Sequence, residues 1–430
     1  GLTTIIRTNG NVSSGFDGQV AKRVFIIRPA NNNNLNLTLT LSYNELELNS
    51  QAESNLKLWR ADENSSVWER ILSTVDVTNN RITATNITKL SQWTFSGISV
   101  RRFTANGNAA GNWDVQENWN PIGIPTFGDS AYILPTKECI IPNNVSANVG
   151  SLSIEGTLTV TDDETLNVFG HFQKIGSGVF NSNNGLVNFN GSNQSIDVFS
   201  FHHLLFSGTG SQTIAGAMTI PGNVSILSND TLNVGAYPIS VQGNWSNSGV
   251  FVSTSNVTFN RNDNTDQNIS GSQFNNVVFS GNGIKNITGN LRVNGNFQIG
   301  GGITVSTVNT IDSIKGDWLN SGTFSPGNST IVLNGANQNI ETSNFNNITF
   351  SGTNTKTALG AFSITGNVKI ENNSSFDAGT FSHSVNGNWI TNGTFISAGT
   401  ITFSGSSDSV SGTASTTFYN VSASNSLFLL

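Results

Sequence analysis

FNNVVFSG, residues 274–281, points to the architecture of this chain, because the chain repeats it. FNNITFSG follows at 345–352, FHHLLFSG precedes at 201–208, and a weaker copy, FYNVSASN, begins at Phe418. The phenylalanines that open the four copies, at positions 201, 274, 345 and 418, are therefore almost evenly spaced along the chain. A nearly constant step, here about 72 residues, is the signature of a stacked repeat architecture.

Other patterns keep the same step. Each of the first three copies is followed by a Gly-Asn-apolar triplet, then a GNW or GDW triplet, then a phenylalanine after an Asn/Ser-Gly turn. The recurring positions are Val224, Phe297 and Val368; Trp245, Trp318 and Trp389; and Phe251, Phe324 and Phe395. Phe172 stands where the step expects an earlier tryptophan. The strand before each copy also recurs, for example VNFNGSNQSI at 187–196 and IVLNGANQNI at 331–340.

The pattern inside each copy favours short strands. Asn and Gly about every ten residues would break helices, and no helical periodicity runs through them. A step of about 72 residues divides into three coils of about 24 residues with Gly/Asn corners. The sequence therefore predicts an all-β chain with a parallel β-helix, or solenoid, over 140–430. We expect a right-handed coil and three-coil repeats anchored near 201, 274, 345 and 418.

The first part of the chain differs from the repeats. Residues 1–98 read as six or seven alternating strands separated by Asn-rich turns, which is typical of a β-sandwich. Its predicted core aromatics are Tyr43, Trp59, Trp68 and Trp93. Residues 99–139 contain two tryptophans and a Pro/Gly turn series, and we interpret them as a connecting segment that caps the first coil.

Composition restricts the classes of function. The net charge is −7, only 10% of residues are charged, and no Lys/Arg run could follow a phosphate backbone, so nucleic acid is not an expected partner. The single cysteine, Cys139, cannot form an intramolecular disulfide, and no apolar run is long enough to span a membrane. The chain starts without Met and stops within a repeat, so we expect a segment of a longer protein.

The opening motif predicts its own packing. Because side chains alternate along a strand, Val277 and Phe279 should face the core while Val278 faces outward. The pairs in the other copies should behave alike: Leu204/Phe206, Ile348/Phe350 and Val421/Ala423. Asn276, Asn347 and Asn420 should form corners, where Asn tolerates left-handed backbone and binds local backbone groups. We interpret the motif as scaffold rather than as a copied ligand contact.

Trp245, Trp318 and Trp389 are the candidate binding residues, because exposed aromatic rings stack on sugars. Packing in the core is the alternative, and Phe172 at the equivalent earlier position fits it. The chain therefore offers either a glycan-binding surface of tryptophans or three packing residues.

Catalytic and metal-binding signals are weak, and we expect no cofactor, no metal and no enzymatic activity. The acidic run 162–164 reads as a solvated turn. NDNTD at 262–266 faintly resembles a calcium loop, but Gln267 stands where such a loop needs Gly. His202 and His203 should face opposite ways as neighbours on a strand. Cys139 reads as a buried thiol.

The chain resembles large surface and secreted proteins of the Bacteroidota, including gliding-motility adhesins exported by the type IX secretion system. RVFIIRPANNNNLNLTLTLSYNELELN (23–49) is similar to a β-sandwich module of such proteins, and GNWDVQENWNPIGIPTFGDSAYI (111–133) resembles the segment that leads into their repeat arrays. The GNW…FSG units resemble the arrays themselves. Members of this phylum carry O-glycans on Asp-Ser/Thr-apolar triplets, which implies glycosylation at Ser130, Thr231, Ser313 and Ser409.

The resemblance implies a cell-surface or extracellular location at the outer membrane. It also implies partners among polysaccharides, cell-surface glycans, and secretion or outer-membrane components reached through regions outside this chain, without direct membrane insertion. The predicted function is a non-enzymatic stalk or adhesin segment that projects other domains. The alternatives are a glycan-binding module, a β-helical polysaccharide lyase or hydrolase, and a filament-forming or secretion-cargo segment.

Overall fold

A computed structural model describes residues 3–9, 21–48, 53–63, 69–97 and 100–430. The protein is all-β, with 53% strand and 3% helix, and contains a parallel β-solenoid of about 15 turns. The predicted fold class is confirmed at this level. The chain forms two compact units, residues 1–201 and 202–430. None of the described helices is long and apolar enough to cross a membrane.

The N-terminal strands form two antiparallel sheets. They are β1 Thr3–Asn9, β2 Arg23–Pro29, β3 Leu37–Ser42, β4 Lys57–Ala61, β5 Glu69–Ile71, β6 Thr74–Asp76, β7 Arg81–Ile87 and β8 Gln92–Ser96. One sheet has the order β1-β2-β8-β4-β5 and the other β3-β7-β6. Among the described residues, four short 3-10 helices span Glu45–Glu47, Glu53–Asn55, Ala105–Gly107 and Gln116–Asn118.

Both N-terminal sheets contribute to one apolar cluster. Phe25 and Trp93 enter it from the larger sheet, and Ile82 enters it from the smaller one. Of the predicted core aromatics, Tyr43 and Trp93 lie in this cluster. Trp59 is buried with the Arg101 guanidinium 5.4 Å from its ring. Trp68 lies outside the described residues.

Parallel coils begin within the first unit. The strands are β9 Val100–Phe103, β10 Ala110–Asn112, β11 Trp119–Asn120, β12 Ser130–Ile133, β13 Glu138–Ile141, β14 Ser146–Val149, β15 Leu152–Ile154, β16 Thr157–Val160, β17 Thr165–Val168, β18 Phe172–Lys174, β19 Val179–Asn181, β20 Leu186–Phe189 and β21 Ser195–Ile196. They form three parallel ladders, β10-β13-β16-β19, β9-β12-β15-β18-β21 and β14-β17-β20, and β11 joins β9 antiparallel. Trp113 and Trp119, from the predicted connecting segment, are buried edge to face at 4.8 Å.

The second unit is solenoid throughout. Its strands are β22 His203–Phe206, β23 Gly210–Ile214, β24 Met218–Ile220, β25 Val224–Ile226, β26 Asp230–Gly235, β27 Ile239–Val241, β28 Trp245–Asn247, β29 Val250–Ser253, β30 Asn256–Phe259, β31 Gln267–Ile269, β32 Ser272–Phe274, β33 Asn276–Phe279, β34 Ile284–Ile287, β35 Leu291–Val293, β36 Phe297–Ile299, β37 Thr304–Thr307, β38 Ile311–Ile314, β39 Trp318–Asn320, β40 Thr323–Ser325, β41 Thr330–Leu333, β42 Gln338–Ile340, β43 Ser343–Phe345, β44 Asn347–Phe350, β45 Asn354–Ala358, β46 Phe362–Ile364, β47 Val368–Ile370, β48 Ser374–Asp377, β49 His383–Val385, β50 Trp389–Thr391, β51 Thr394–Ile396, β52 Thr400–Phe403, β53 Ser407–Ser411, β54 Asn420–Ala423 and β55 Ser426–Leu429.

These strands form three faces. Face A contains β22-β25-β28-β31-β34-β37-β40 and then β43-β46-β49-β52-β54. Face B contains β23-β26-β29 and then β32-β35-β38-β41-β44-β47-β50-β53-β55, and face C is β24-β27-β30-β33-β36-β39-β42-β45-β48-β51. Within each ladder, neighbouring strands pair in parallel, and a complete coil contributes one strand to each face.

The predicted three-coil repeat is wrong. In the ladder of face C, Val277 pairs with Phe297 and Phe297 with Trp318. Successive coils are therefore about 20 residues long rather than about 24, because strands of three or four residues with tight Gly/Asn corners make each coil short. The step from β22 to β33, and again from β33 to β44, is eleven strands, which is three coils and two thirds of a fourth.

The repeat consequently moves around the solenoid. Eleven strands are one fewer than four complete coils, so each copy of the opening motif lies one face away from the previous copy. The copies lie in β22 on face A, β33 on face C, β44 on face B and β54 on face A again. Equivalent residues of consecutive repeats therefore lie on different faces.

The predicted alternation is confirmed in three copies of the motif. Val277, Phe279 and their counterparts Leu204, Phe206, Ile348 and Phe350 are buried. Val278, Thr349 and Leu205 point outward and are half-buried. The prediction is wrong for the fourth copy, where Val421 is 52% exposed and Ala423 is exposed. These two lie in the last coil of the described chain, and none of the described coils follows it.

The predicted role of the corner asparagines needs correction. Asn276, Asn347 and Asn420 open strands without left-handed backbone. The Asn276 Oδ1 accepts the backbone N–H of Asn296, one coil further, at 2.8 Å, and the Asn296 Oδ1 accepts that of Asp317 at 2.9 Å. The next copy repeats the ladder from Asn347. The short amide side chain reaches the neighbouring coil, so Asn276 and Asn347 join coils instead of closing local turns.

Candidate functional site

The three candidate tryptophans are buried. Trp245, Trp318 and Trp389 are 2%, 0% and 0% exposed. An indole stacks on a sugar only when one of its faces is open to solvent. The hypothesis that these residues form a glycan-binding surface is therefore wrong for the folded chain, and the packing alternative holds.

Each indole joins an aromatic cluster inside the solenoid. The Trp318 ring stacks on Phe297 with centroids 4.5 Å apart and meets Phe324 edge to face at 4.8 Å. Its Nε1 donates to the Ser343 Oγ at 2.7 Å. Trp245 makes the equivalent bond to Ser272 at 2.8 Å. The tryptophan of the repeated triplet is thus satisfied within the solenoid.

The Trp-Ser bonds lie where a ladder stops. On face B, β29 and β32 lie next to each other without forming a described ladder, and β40 and β43 do the same on face A. Asn side chains reinforce the junctions, because the Nδ2 of Asn247 donates to Ser272 and that of Asn320 donates to Ser343. The two breaks are equivalent positions of consecutive repeats. Side-chain hydrogen bonds replace backbone pairing there.

The breaks should be visible in amide exchange. The Phe274 carbonyl accepts the N–H of Asn294 in the following coil, so the neighbouring Gln273 N–H points toward β29, where the ladder is missing. Arg292 is its partner one coil further and lies in β35, which is paired on both sides. We expect the Gln273 amide to exchange at least about tenfold faster than the Arg292 amide. Equal rates in residue-resolved hydrogen exchange would contradict the break.

A buried glutamine joins two coils in three of the repeats, and the sequence analysis did not assign it a role. Gln338 is buried; its Oε1 accepts the Gly335 N–H at 2.8 Å, and its Nε2 donates to the carbonyls of Ile314 and Gly316 in the preceding coil. Gln194 and Gln267 make the same pattern of bonds. In the fourth copy Asp408 accepts from Gly405. The sequence contained a signal for this residue, because a polar residue recurs where the strand alternation predicts an inward side chain.

Two lysines are also buried inside the solenoid. Lys285 and Lys356 occupy the position held by Gln212 in the earlier copy, and all three are fully buried. Each donates to the backbone carbonyl three residues before it, which belongs to Thr209, Asn282 or Thr353. Burial lowers the pKa of both lysines to about 8, with the nearby Arg261 as a further cause for Lys285.

The buried lysines predict a rise in stability with pH. Their pKa of about 8 in the folded chain lies below the ordinary value of 10.5, so the unfolded chain binds more protons between these two values. The contribution of the two lysines to the free energy of unfolding of the unit 202–430 should therefore rise from about pH 8 to pH 10.5. Lys356→Met should reduce this rise, and urea titrations of both proteins across the range measure it. A difference between the two proteins that stays constant with pH would contradict the prediction.

The four predicted O-glycosylation triplets share one geometry. In each, the aspartate is buried and the following Ser or Thr points outward, half-buried; the residues are Asp129/Ser130, Asp230/Thr231, Asp312/Ser313 and Asp408/Ser409. The carboxylates accept hydrogen bonds inside the solenoid; for example, Asp312 accepts the Leu291 N–H at 2.8 Å. Burial raises the pKa of Asp312. Glycosylation at these hydroxyls stays a prediction.

The remaining candidates are the acidic run 162–164, the 262–266 loop and Cys139. Residues 162–164 lie in a surface turn, as expected. In the 262–266 loop, the Arg261 guanidinium donates to the Thr265 Oγ1 and to the Asp266 carbonyl. No group of three or more His, Cys, Asp or Glu among the described residues could hold a metal ion. Cys139 is fully buried, and burial raises the pKa of its thiol, which confirms the predicted buried thiol.

The histidine pair is a correction. His202 lies in the corner before β22, and its ring contacts that of His203 at 4.5 Å instead of facing away. The His203 Nδ1 accepts the Asn223 N–H at 2.8 Å and thereby starts an asparagine ladder. One ring nitrogen of the pair is thus engaged by the backbone.

Comparison with known proteins adds no family. No family model, no curated protein and no solved structure matches the chain. The function is therefore inferred from the residues and their geometry.

Proposed function

We propose that this chain is a non-enzymatic scaffold, a stalk or adhesin segment of a larger secreted protein that projects other domains at the cell surface. The single observation that carries the proposal is the use of the repeated residues. The repeated Phe, Trp, Gln and Asn pack the interior or join coils, as Phe279, Trp318, Gln338 and Asn296 do. Repetition thus serves the solenoid itself.

The rotation of the repeat supports the same role. Copies of a ligand contact would act together best on one face, whereas here each copy moves to the next face. A spacer needs only uniform stacking, which the rotation does not disturb. The outward positions carry few charges, in keeping with the low charged fraction of 10%.

The proposal also includes the N-terminal fold, the handedness of the solenoid, the location of the protein and its glycosylation. We infer a β-sandwich from the two N-terminal sheets around one core, and a right-handed coil for the solenoid. An extracellular or cell-surface location, type IX secretion and gliding-type adhesion are proposed from the resemblance to Bacteroidota surface proteins. O-glycans on Ser130, Thr231, Ser313 and Ser409 are proposed on the same basis. Mass spectrometry of the natively secreted protein tests for them.

Deleting one repeat tests the spacer role. Removal of residues 274–344 joins equivalent positions, so the shortened chain should fold. Coils stack about 4.8 Å apart, so the deletion of three and two-thirds coils should shorten the separation of dyes on Leu205 and Ser422 along the solenoid axis by about 18 Å. An unchanged distance, or release of sugars from a polysaccharide by the intact chain, would contradict a non-enzymatic spacer.

A further inference from the structure

The ladder break on face B opens a groove. Where β29 and β32 lie side by side without pairing, the surface has a cavity of about 340 Å³. The buried rings of Phe251 and Phe274 line it, 5.8 Å apart. Gly249 and Gly271 also line it and add no side chain. The volume lies at the lower end of the range of about 300–1,000 Å³ for small-molecule sites.

The rim of the groove combines amides with apolar groups. Gln273 and Asn294 are exposed and offer carboxamides that both donate and accept hydrogen bonds. The Gln273 backbone amide also points toward the missing ladder. Val250 and Val252 are 54% and 41% exposed and form an apolar wall beside these polar groups.

No charged side chain is among the residues that line the groove in the described structure. An anionic or cationic ligand would therefore lose its water without gaining an opposite charge. A neutral ligand with adjacent hydroxyls and C–H surfaces would match the amides and the valines at once. We propose that the groove between β29 and β32 binds a neutral saccharide.

The groove gives the scaffold a saccharide site that the buried tryptophans cannot provide. It depends on the proposed extracellular role only for the source of the saccharide. The dye distance in the deletion experiment does not depend on a saccharide, and binding of a saccharide is measured without its cleavage, so either proposal can fail alone.

Calorimetry and hydrogen exchange on the full chain test the groove. The neutral probes are cello-, manno-, xylo- and chitotetraose, and polygalacturonate is the charged comparison. We expect at least one neutral probe to bind and to slow exchange of the Gln273 amide. Gln273→Ala and Val252→Asp, each checked for folding by circular dichroism, should weaken that binding by at least about tenfold, since they remove a carboxamide or add an unpaired charge.

Gln298→Ala is the matched control, because Gln298 is an exposed glutamine in β36, which is paired on both sides on face C, outside the groove. It should leave binding unchanged. The proposal is overturned if none of the neutral probes binds, if polygalacturonate binds more tightly than all of them, or if the control weakens binding as much as Gln273→Ala.

Discussion

Trp318→Ala should lower the free energy of unfolding of the unit 202–430 by about 3–5 kcal/mol, the cost of truncating a large buried aromatic. The indole is fully buried, stacked on Phe297 and in contact with Phe324 and Phe345. Its removal leaves a cavity between coils that short ladders on three faces cannot close. It also leaves the Ser343 hydroxyl without the Nε1 donor.

Urea unfolding followed by circular dichroism measures this loss. Trp318→Phe is the informative control, since the chain itself has Phe172 at the equivalent earlier position. It should cost less, because a ring still fills the site and chiefly the hydrogen bond is lost, about 1 kcal/mol. Leu319→Ala, at the half-buried outward neighbour, should change stability little. Equal losses for Trp318→Ala and Leu319→Ala would contradict the packing role.

Gln338→Leu should destabilise the solenoid by about 2–4 kcal/mol although it adds apolar surface to the interior. The substitution leaves the Gly335 N–H and the Gly316 carbonyl without their described partner, and each buried unpaired group costs about 1–3 kcal/mol. The Ile314 carbonyl keeps the N–H of Asn334 and should contribute less.

Two further variants help to explain the expected loss of stability in Gln338→Leu. Asn339→Ala changes the exposed neighbour and should leave the unfolding midpoint nearly unaltered. Gln338→Asp copies the fourth repeat, where Asp408 accepts from Gly405, and tests whether the acceptor alone suffices. If Gln338→Leu were as stable as the unchanged chain, the glutamine would be a tolerated polar residue and not a link between coils.

The repeat itself was legible in the sequence. The positions of Phe201, Phe274 and Phe345 revealed the step, and alternation along FNNVVFSG placed Val277 and Phe279 inside. Both inferences depend on local properties, namely identical letters and the two-residue period of a strand. The scaffold interpretation of the motif followed from them.

The coil length was not legible. Successive coils within one repeat carry different letters, as Val277, Phe297 and Trp318 stack in one column with three different side chains. A constant step gives the repeat but not its division into coils, because corners form at Asn and Gly in several spacings. Three coils of about 24 residues and three and two-thirds coils of about 20 residues fit the same step.

The sequence also left undecided whether the repeated polar and aromatic side chains are buried or exposed. A tryptophan at a strand start can point in or out, and Gln338 or Lys356 reads as a surface residue until the neighbouring coil is known. From the letters alone it follows that the chain repeats, that it forms strands, and which side of most motif strands faces inward. Tertiary stacking fixes the coil length, the movement of the repeat from face to face, and the burial of Trp318, Gln338 and Lys356, because these depend on which strand of another coil lies beside each residue.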